Sequence, residues 1–290
     1  MNARTASGLS LAFLGGGNMA QALLLGLLRK PSEQLNLHSI TIIEPNEAAR
    51  QHILNSASQL TQSTGIELRV TARSDLPGSA PAPDWLVLAV KPQVAQEALQ
   101  ELSASHPTWV SNSVLLSIAA GLTTDKLSSW IGHTRMTRSM PNTPALIGRG
   151  ITGLFAGSSV ESERRKEAEL LLQSVGEVVW LEEESQLDAV TALSGSGPAY
   201  FFLLTEAMTQ AGIALGLSED NAARLARHTA AGAGLLLAES NESAQTLRTR
   251  VTSPGGTTAA ALAVFESRAF RGIVQEALTA ARDRSQELSK

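Results

Sequence analysis

Hydrophobic and polar positions follow different patterns in the two parts of the chain. Up to about Leu181, short apolar runs alternate with amphipathic polar runs, which is typical of strand–helix–strand units that build a parallel sheet. Beyond Leu181 the alternation stops and the helix-favouring residues Ala, Leu, Glu and Arg predominate. The pattern predicts an α/β N-terminal domain over residues 1–180 and an all-helical C-terminal domain over residues 181–290.

The apolar runs of the first domain mark its strands. They are Leu11–Leu14, Ile40–Glu44, Glu67–Val70, Trp85–Val90, Val114–Ala119, Arg135–Ser139 and Gly150–Phe155. Helices are predicted to begin near Gly17, Glu47 and Gln93 and after Thr123. In the second domain, clusters of Gly, Ser and Pro at residues 195–198, 216–218 and 253–256 are predicted to separate the helices.

The helix predicted from Pro198 to Leu215 is apolar on nearly every side. Such a helix must be buried on several sides, and a small helical domain can hardly cover it alone. We therefore predict an obligate homodimer or a larger assembly; the alternative is that neighbouring helices of the same chain cover it. The segment contains Glu206 and Gln210 and is shorter than the roughly 20 residues that cross a bilayer, so no membrane association is predicted.

Composition narrows the functional classes. A length of 290 residues favours two domains, and a net charge of -4 with mixed charges does not favour binding to nucleic acid. The absence of cysteine excludes disulfides, thiolate metal sites and a catalytic thiol, and the 5 histidines are dispersed, so no metal site is predicted. The first residues carry no long apolar stretch, which predicts a cytoplasmic protein without a secretory signal. A small-molecule substrate is expected.

Residues 15–20, Gly-Gly-Gly-Asn-Met-Ala, follow the first strand and open a helix. In the form G-x-G-x-x-A, Gly15 permits the tight turn and Gly17 lets the backbone approach a pyrophosphate, while Ala20 keeps helix and strand close. The free N–H groups of the helix start would hold the anion. The position of this motif at the first strand of an alternating fold predicts a dinucleotide site in a Rossmann-like domain.

Residues at the ends of the second and fourth strands are relevant to which cofactor is bound and to where it lies. Glu44 can accept hydrogen bonds from a ribose diol, which favours NAD, whereas Arg50 can pair with the 2'-phosphate of NADP. The residues leave this choice open. Lys91-Pro92 ends the strand Trp85–Val90 and can place a cation or a carbonyl near the nicotinamide ribose; the alternative is a simple strand-to-helix turn.

Residues 194–199, Ser-Gly-Ser-Gly-Pro-Ala, form the most informative segment of the second half. Gly195 and Gly197 are expected to expose backbone N–H groups, and Pro198 suits the first turn of a helix. With the hydroxyls of Ser194 and Ser196, this helix start is predicted to bind a substrate carboxylate. The alternative is an ordinary capped helix.

Residues 253–258, Ser-Pro-Gly-Gly-Thr-Thr, form a second loop that precedes a helix. The hydroxyls of Thr257 and Thr258 are expected to approach the same substrate or the nicotinamide. The alternative is a turn and cap without a ligand.

Together these motifs resemble the pyrroline-5-carboxylate reductase family. The matching runs occur in the family's order over nearly the whole chain, at residues 13–20, 90–93, 117–121, 138–144, 188–200 and 251–258. The resemblance implies a Rossmann domain followed by a helical domain through which subunits interlock, often as dimers arranged into decamers. It also implies reduction of 1-pyrroline-5-carboxylate to proline, with NADPH as the usual donor and NADH accepted by some members.

The resemblance extends the list of candidate site residues. The cofactor set becomes Gly15, Gly16, Gly17, Asn18, Met19, Glu44, Arg50, Ala89, Val90, Lys91, Pro92 and Asn142. The substrate set becomes Ser194, Gly195, Ser196, Gly197, Pro198, Ala199, Thr257 and Thr258. The family commonly has Ala where Gly16 stands, a difference expected to be harmless, whereas Glu44 argues against a preference for NADPH.

In such an enzyme, hydride from the nicotinamide attacks the imine carbon. A substrate that arrives as an iminium needs no strong enzymic acid, so catalysis is expected to depend on positioning, with the carboxylate held by N–H groups of residues 196–199. The candidate catalytic residues are Ser196, Thr257 and Glu184, the last as a polar partner for the substrate nitrogen or else a solvated carboxylate at a helix start. Arg138 is expected to contact cofactor or substrate, or to form a structural ion pair.

Two other functions fit the same motifs. One is a reductase of another cyclic imine or of a hydroxy acid. The 3-hydroxyacid dehydrogenases are expected to carry a catalytic lysine on the long helix, and residues 198–215 contain no lysine. The other is a catalytically silent relative that binds nucleotide without turnover.

Overall fold

The computed structural model describes residues 8–289. Residues 1–7, on which the expectation of no secretory signal partly rests, lie outside the described residues, as does Lys290. Residues 8–195 form one compact unit together with residues 282–289, and residues 196–281 form a second. The predicted domain boundary after residue 180 stays a prediction.

The first unit is built on a single sheet, which has eight strands among the described residues. The strands are β1 Leu9–Leu14, β2 Leu37–Ile43, β3 Glu67–Thr71, β4 Trp85–Leu88, β5 Val114–Ser117, β6 Met136–Met140, β7 Gly150–Ala156 and β8 Gly176–Trp180. Their order in the sheet is β3-β2-β1-β4-β5-β6-β7-β8. The prediction of a parallel sheet is wrong at one place, because β6 and β7 pair antiparallel.

Helices connect the strands and continue through the second unit. The first unit has α1 Asn18–Arg29, α2 Glu47–Thr64, α3 Pro92–Ser105, α4 Pro107–Asn112, α5 Thr124–Ile131, α6 Ser162–Gln173 and α7 Gln186–Val190. A π-helical segment, Thr191–Gly195, leads from α7 toward the second unit. There follow α8 Gly197–Ala214, α9 Glu219–Glu239, α10 Ala244–Arg250, α11 Thr257–Ser267 and α12 Phe270–Ser289.

Both faces of the central strands are buried, which explains why β4 is apolar throughout and β1 is apolar except at Ser10. In β1, Leu11 and Phe13 pack into one core with residues of α1, α2 and α6. Ala12 and Leu14 pack into a second core with residues of α3, α4 and α5. This is the arrangement of a doubly wound α/β domain, in which ligands bind at the carboxyl edge of the strands.

Some elements were not predicted. Helix α6 was not predicted. Strand β8 was not predicted either, because it is an edge strand and only Val178 and Trp180 of it pack against the core. The predicted strands Trp85–Val90 and Val114–Ala119 run too far, since β4 ends at Leu88 and β5 ends at Ser117. The residues beyond these ends form loops at the carboxyl edge.

The second unit leaves a large apolar surface uncovered. On α8, Phe201, Phe202 and Leu203 are 64%, 68% and 66% exposed. Large apolar side chains of α9, α11 and α12 are exposed as well, including Leu236, Val264 and Ile273. Neighbouring helices of the same chain therefore do not cover α8.

Among residues 8–289, no helix is both long enough and apolar enough to cross a membrane.

A cluster of charged groups ties α6 to the amino ends of β1 and β4. Arg164 donates hydrogen bonds to Asp84 Oδ1 (3.1 Å) and to Glu167 Oε2 (2.7 Å), which also accepts one from Trp85 Nε1 (2.8 Å). Asp84 Oδ2 accepts hydrogen bonds from Ser10 N and Ser10 Oγ. Burial alone would raise the pKa of Asp84, but these hydrogen bonds and the Arg164 charge hold the pKa below its usual range.

Replacing Arg164 with methionine is expected to lower the free energy of unfolding by about 2–3 kcal/mol at neutral pH, because two partly buried carboxylates lose their cation. The folded-state pKa of Asp84 lies below its unfolded value of 3.8. The stabilisation it contributes is therefore complete above that value and is lost as pH falls through the folded-state pKa. Urea unfolding of the wild type between pH 7 and pH 3 should show this loss of free energy of unfolding. In Arg164→Met the decrease over the same pH range should be smaller.

Arg69→Met is the matched control, because Arg69 pairs with Glu67 at 3.6 Å on the surface. It should change the free energy of unfolding by no more than about 0.5 kcal/mol. Equal effects of the two substitutions on the free energy of unfolding would contradict the conclusion that the cluster around Arg164 stabilises the fold.

Candidate cofactor and substrate site

The glycine turn lies at the carboxyl end of β1, beside the end of β4. Gly15 has a φ of +105°, which favours glycine, and a Cβ there would lie 2.8 Å from both Ala89 O and Val90 Cγ1. Gly17 is the N-cap of α1 and has an extended backbone, with no side chain that caps the helix. A Cβ at Gly17 would have Ala89 O, at 4.0 Å, as its nearest atom. The turn is thus close-packed at Gly15 and open at Gly17.

This open turn has the form of a pyrophosphate site. Gly17 and Asn18 are exposed, whereas Met19 packs partly against the core. The first N–H groups of α1 have no partner within the helix, and Gln21 N is the first to donate back, to Gly17 O (3.0 Å). The residues present therefore fit a dinucleotide, with its anion at the start of α1.

Glu44 reaches back to the glycine turn from the end of β2. Its Oε2 accepts a hydrogen bond from Gly16 N (3.0 Å), and its Oε1 accepts one from Asn46 N (2.9 Å). Arg50 Nη1 donates to the carbonyl oxygens of Glu44 (2.9 Å) and Pro45 (2.7 Å). The carboxylate thus lies against the glycine turn, and the Arg50 guanidinium binds the backbone of residues 44 and 45.

Gly16, which stands where the family commonly has Ala, lies close to the side chains of Ile53 and Glu44. A Cβ at Gly16 would lie 2.7 Å from Ile53 Cδ1 and 3.2 Å from Glu44 Cβ, so one of these side chains would have to move. The glycine at this position accompanies the close approach of Glu44.

Lys91 and Pro92 lie at the start of α3, where Lys91 is the N-cap and Pro92 occupies the first turn. Lys91 is exposed, and its carbonyl accepts a hydrogen bond from Val94 N (3.1 Å). Ala89 N donates to Leu14 O (2.9 Å), which holds the end of β4 against the glycine turn. The predicted cofactor residues 89–92 therefore share the carboxyl edge of the sheet with residues 15–19.

The segment predicted as a loop at Ser194 and Gly195 is π-helical. Ser194 Oγ donates to Val190 O (3.0 Å), so its hydrogen is used within the helix. Ser196 has helical dihedrals and Ala199 N donates to Ser196 O (3.0 Å), while Pro198 has no N–H. The prediction that N–H groups throughout residues 196–199 hold a carboxylate is therefore wrong for Pro198 and Ala199.

The second loop has a more open helix start. Gly255 adopts a φ of +71°, and Gly256, the N-cap of α11, donates to Ser253 O (3.0 Å). Thr257 is exposed and Thr258 is half-buried. Ala260 N donates to Gly256 O, so the N–H groups of the three preceding residues have no partner within the helix.

Glu184 is bound within the first unit. Its Oε1 accepts hydrogen bonds from Arg138 Nη1 (2.5 Å) and Thr124 N (2.6 Å), and its Oε2 accepts one from Thr124 Oγ1 (2.5 Å). Arg138 thus forms the structural ion pair that was one of its two interpretations. Nearby, Ser285 Oγ donates to Asp188 Oδ1 (2.7 Å).

Asn142 was predicted to bind cofactor, and it is buried between two backbone groups of the first unit. Its side-chain amide accepts a hydrogen bond from Ile151 N (3.0 Å) and donates one to Ser194 O (3.1 Å).

Among residues 8–289, no group of His, Asp and Glu side chains could hold a metal ion.

Two family models match the chain. Residues 10–121 match the model described as NADP oxidoreductase, coenzyme F420-dependent, and residues 184–288 match pyrroline-5-carboxylate reductase dimerisation. Pyrroline-5-carboxylate reductase of Haemophilus influenzae is 43% identical over 96% of this chain and 97% of that protein. The chain belongs to the pyrroline-5-carboxylate reductase family.

Other members of this family agree in sequence and structure. The Pseudomonas aeruginosa pyrroline-5-carboxylate reductase is 41% identical, with 97% of each chain covered. The Coxiella burnetii pyrroline-5-carboxylate reductase structure superposes with a TM-score of 0.84 at 35% identity, over 98% of this chain and 99% of that one. The Plasmodium falciparum enzyme, solved with NADP bound, gives a TM-score of 0.74 at 26% identity, over 99% of this chain and 100% of that one.

Membership of the pyrroline-5-carboxylate reductase family confirms several expectations. The α/β fold with a Rossmann-like domain and a helical C-terminal region is confirmed, as is an oxidoreductase that uses NAD(P)H. The match at residues 184–288 identifies the helical region as the part through which subunits associate.

Some residues at this site were not predicted. Thr124 binds Glu184 across 60 positions of sequence, and no local pattern indicates such a pair. Asn46 could have been found, because an Asn immediately before a helix is a common N-cap, and its side chain accepts a hydrogen bond from Ala49 N.

Proposed function

We propose that this chain reduces 1-pyrroline-5-carboxylate to L-proline, the last step of proline biosynthesis, with NADPH or NADH as donor. The observation that carries the proposal is the open turn at Gly17 at the carboxyl edge of β1, in a chain similar over its full length to pyrroline-5-carboxylate reductases. The reduced nicotinamide, when bound, supplies the hydride for the C=N bond.

The chain's own residues position the reactants. We assign the cofactor pyrophosphate to the turn at residues 15–19, the adenine ribose to Glu44 and Arg50, and the nicotinamide half to residues 89–92. A protonated imine accepts hydride at its carbon and becomes a secondary amine, so no acid is needed at the nitrogen during transfer. Catalysis then depends on orientation and on exclusion of water.

We assign the substrate carboxylate to two helix starts in the second unit. The start of α11 offers unpaired N–H groups and the hydroxyls of Thr257 and Thr258, and the start of α8 offers Ser196 and Gly197. Unpaired N–H groups at a helix start favour an anion. We further propose a homodimer, or a decamer built from dimers, in which the exposed apolar faces of α8, α9, α11 and α12 are covered by partner subunits.

Initial rates with pyrroline-5-carboxylate and either NADPH or NADH, with proline identified by mass, test the activity. We expect proline from at least one donor. Oxidation of the donor without proline would point to another cyclic imine. Nucleotide binding without turnover of any imine would indicate a silent relative and refute the proposal.

Replacing Glu44 with serine is expected to shift the ratio of kcat/KM for NADPH to that for NADH at least tenfold toward NADPH. The carboxylate at the glycine turn opposes a 2'-phosphate by like charge and favours a ribose diol. Arg50 remains to pair with the phosphate. Glu47→Ser, on the exposed first turn of α2, is the control for loss of a nearby charge and should leave the ratio within twofold. An unchanged ratio in Glu44→Ser would place the ribose elsewhere.

For Glu184, we propose a positioning role through Arg138 and Thr124 rather than contact with the substrate nitrogen. Glu184→Gln keeps the shape but weakens the ion pair, so it should lower the free energy of unfolding by about 1–2 kcal/mol. The shape of the pH profile of kcat should stay unchanged. Glu182→Gln, at an exposed neighbour, should change neither quantity. Loss of one limb of the profile in Glu184→Gln alone would restore Glu184 as a proton partner.

A further inference from the structure

The carbonyl of Ser194 lacks the partner that a regular helix would give it. In an α-helix it would accept a hydrogen bond from the residue four positions later, which is Pro198, and proline has no N–H. The next N–H, that of Ala199, donates instead to Ser196 O (3.0 Å). A carbonyl left unpaired where the chain passes from the π-helical segment to α8 would cost free energy, so a donor from elsewhere is required.

Asn142 supplies this donor. Its Nδ2 donates to Ser194 O at 3.1 Å, and its Oδ1 accepts from Ile151 N at 3.0 Å. The amide has only one orientation that satisfies both groups, because a backbone N–H can only donate and a carbonyl can only accept. With the residue 8% exposed, both ends of the amide are held inside the protein.

The antiparallel pairing of β6 and β7 explains why Asn142 is held so firmly. Met140 pairs with Gly153, and the same register continued by two residues would pair Asn142 with Ile151. Strand β6 ends at Met140 and Pro141 follows, so the side chain of Asn142 takes over the acceptor position that the backbone would have filled. Met140 also packs against the segment, since a Cβ on Gly195 would lie 2.5 Å from its Cε.

We propose that Asn142 is a positioning residue for the substrate site, and not a cofactor ligand. The carbonyl and N–H of one trans peptide point in opposite directions, so a fixed Ser194 carbonyl also fixes the plane of the Ser194–Gly195 peptide. This peptide precedes Ser196 and Gly197, where α8 begins. The inference rests on the proposed function in one respect, the assignment of the start of α8 to the substrate carboxylate.

Asn142→Asp isolates the bond to Ser194, because a carboxylate still accepts from Ile151 N but repels the Ser194 carbonyl. We expect the KM for pyrroline-5-carboxylate to rise about tenfold or more, with the Kd for NADPH within twofold of wild type. Asn112→Asp is the matched control on the exposed end of α4 and should change neither value. A raised Kd for NADPH with an unchanged KM for the imine would make Asn142 a cofactor ligand and overturn the inference.

A second pair of variants separates the two bonds of Asn142. Asn142→Ala removes both, and Pro198→Ala restores an N–H that can donate to Ser194 O in the α-helical pattern. If the Ser194 bond matters, the double variant should have a KM for the imine several-fold lower than Asn142→Ala alone. If the double variant is no better than Asn142→Ala, the defect comes from Ile151 and the inference fails.

Amide hydrogen exchange of residues 187–199 provides a readout that does not depend on turnover. We expect exchange in this peptide to be at least tenfold faster in Asn142→Asp than in wild type, with other peptides of the sheet unchanged. Should the wild type fail to reduce the imine, the proposed function falls while this comparison still decides whether Asn142 holds the segment. Unchanged exchange would overturn the inference whatever the activity.

Discussion

Replacing Leu203 with glutamate is expected to convert the enzyme into inactive, folded monomers at micromolar concentration. Leu203 is 66% exposed on α8, within the region that matches the dimerisation model. Burial of a leucine contributes about 1.5–3 kcal/mol, and a buried unpaired carboxylate costs several more. A twofold interface carries the substitution twice, so the dimer Kd should rise on the order of a thousandfold or more.

Sedimentation at several protein concentrations, with activity measured at the same concentrations, checks this expectation. Leu54→Glu is the matched control, because Leu54 is 37% exposed on α2 of the Rossmann-like unit, and it should leave the dimer intact. Retained binding of NADPH would show that the Leu203→Glu chain is folded. A Leu203→Glu protein that stays dimeric and active would place Leu203 outside the interface.

Local patterns predicted those parts of the site that depend on neighbouring residues. The turn at residues 15–20 could be predicted because strand, glycines and helix start are contiguous, and their order alone specifies the geometry. The position of Glu44 followed from its place at the end of β2, since parallel strands bring their carboxyl ends to one edge. The exposed apolar face of α8 followed from a helix without a polar side.

Long-range contacts could not be predicted in the same way. The ion pair of Arg138 with Glu184 and the bond from Asn142 to Ser194 join residues 46 and 52 positions apart. The π-helical segment was mistaken for a loop because Gly195, Gly197 and Pro198 are typical of helix ends. The Ser194 carbonyl of this segment accepts a hydrogen bond from Asn142, a contact that no local rule indicates. Strand β8 was not predicted, because an edge strand that buries only one face has a weak hydrophobic pattern.

Gly17→Val should raise the Kd for NADPH by a hundredfold or more while leaving the fold nearly as stable as wild type. The backbone of Gly17 is extended, with a φ of -66° that valine readily adopts, and a Cβ there meets no protein atom closer than 4.0 Å. Loss of the small N-cap residue should cost only about 1 kcal/mol of stability. The side chain would instead fill the space in front of the N–H groups of α1, so any large loss of affinity must come from the ligand.

Gly78→Val separates this effect from the general cost of replacing a glycine. No atom lies within 4 Å of a Cβ at Gly78, which follows Pro77 in an exposed turn between β3 and β4. Fluorescence titration with NADPH and thermal unfolding of both variants give the comparison. Normal NADPH binding by Gly17→Val would mean that the pyrophosphate does not lie at this turn, and the assignments of Glu44 and residues 89–92 would fall with it. Weak binding with intact stability would establish that the open space at Gly17 is kept for the cofactor and not for the fold.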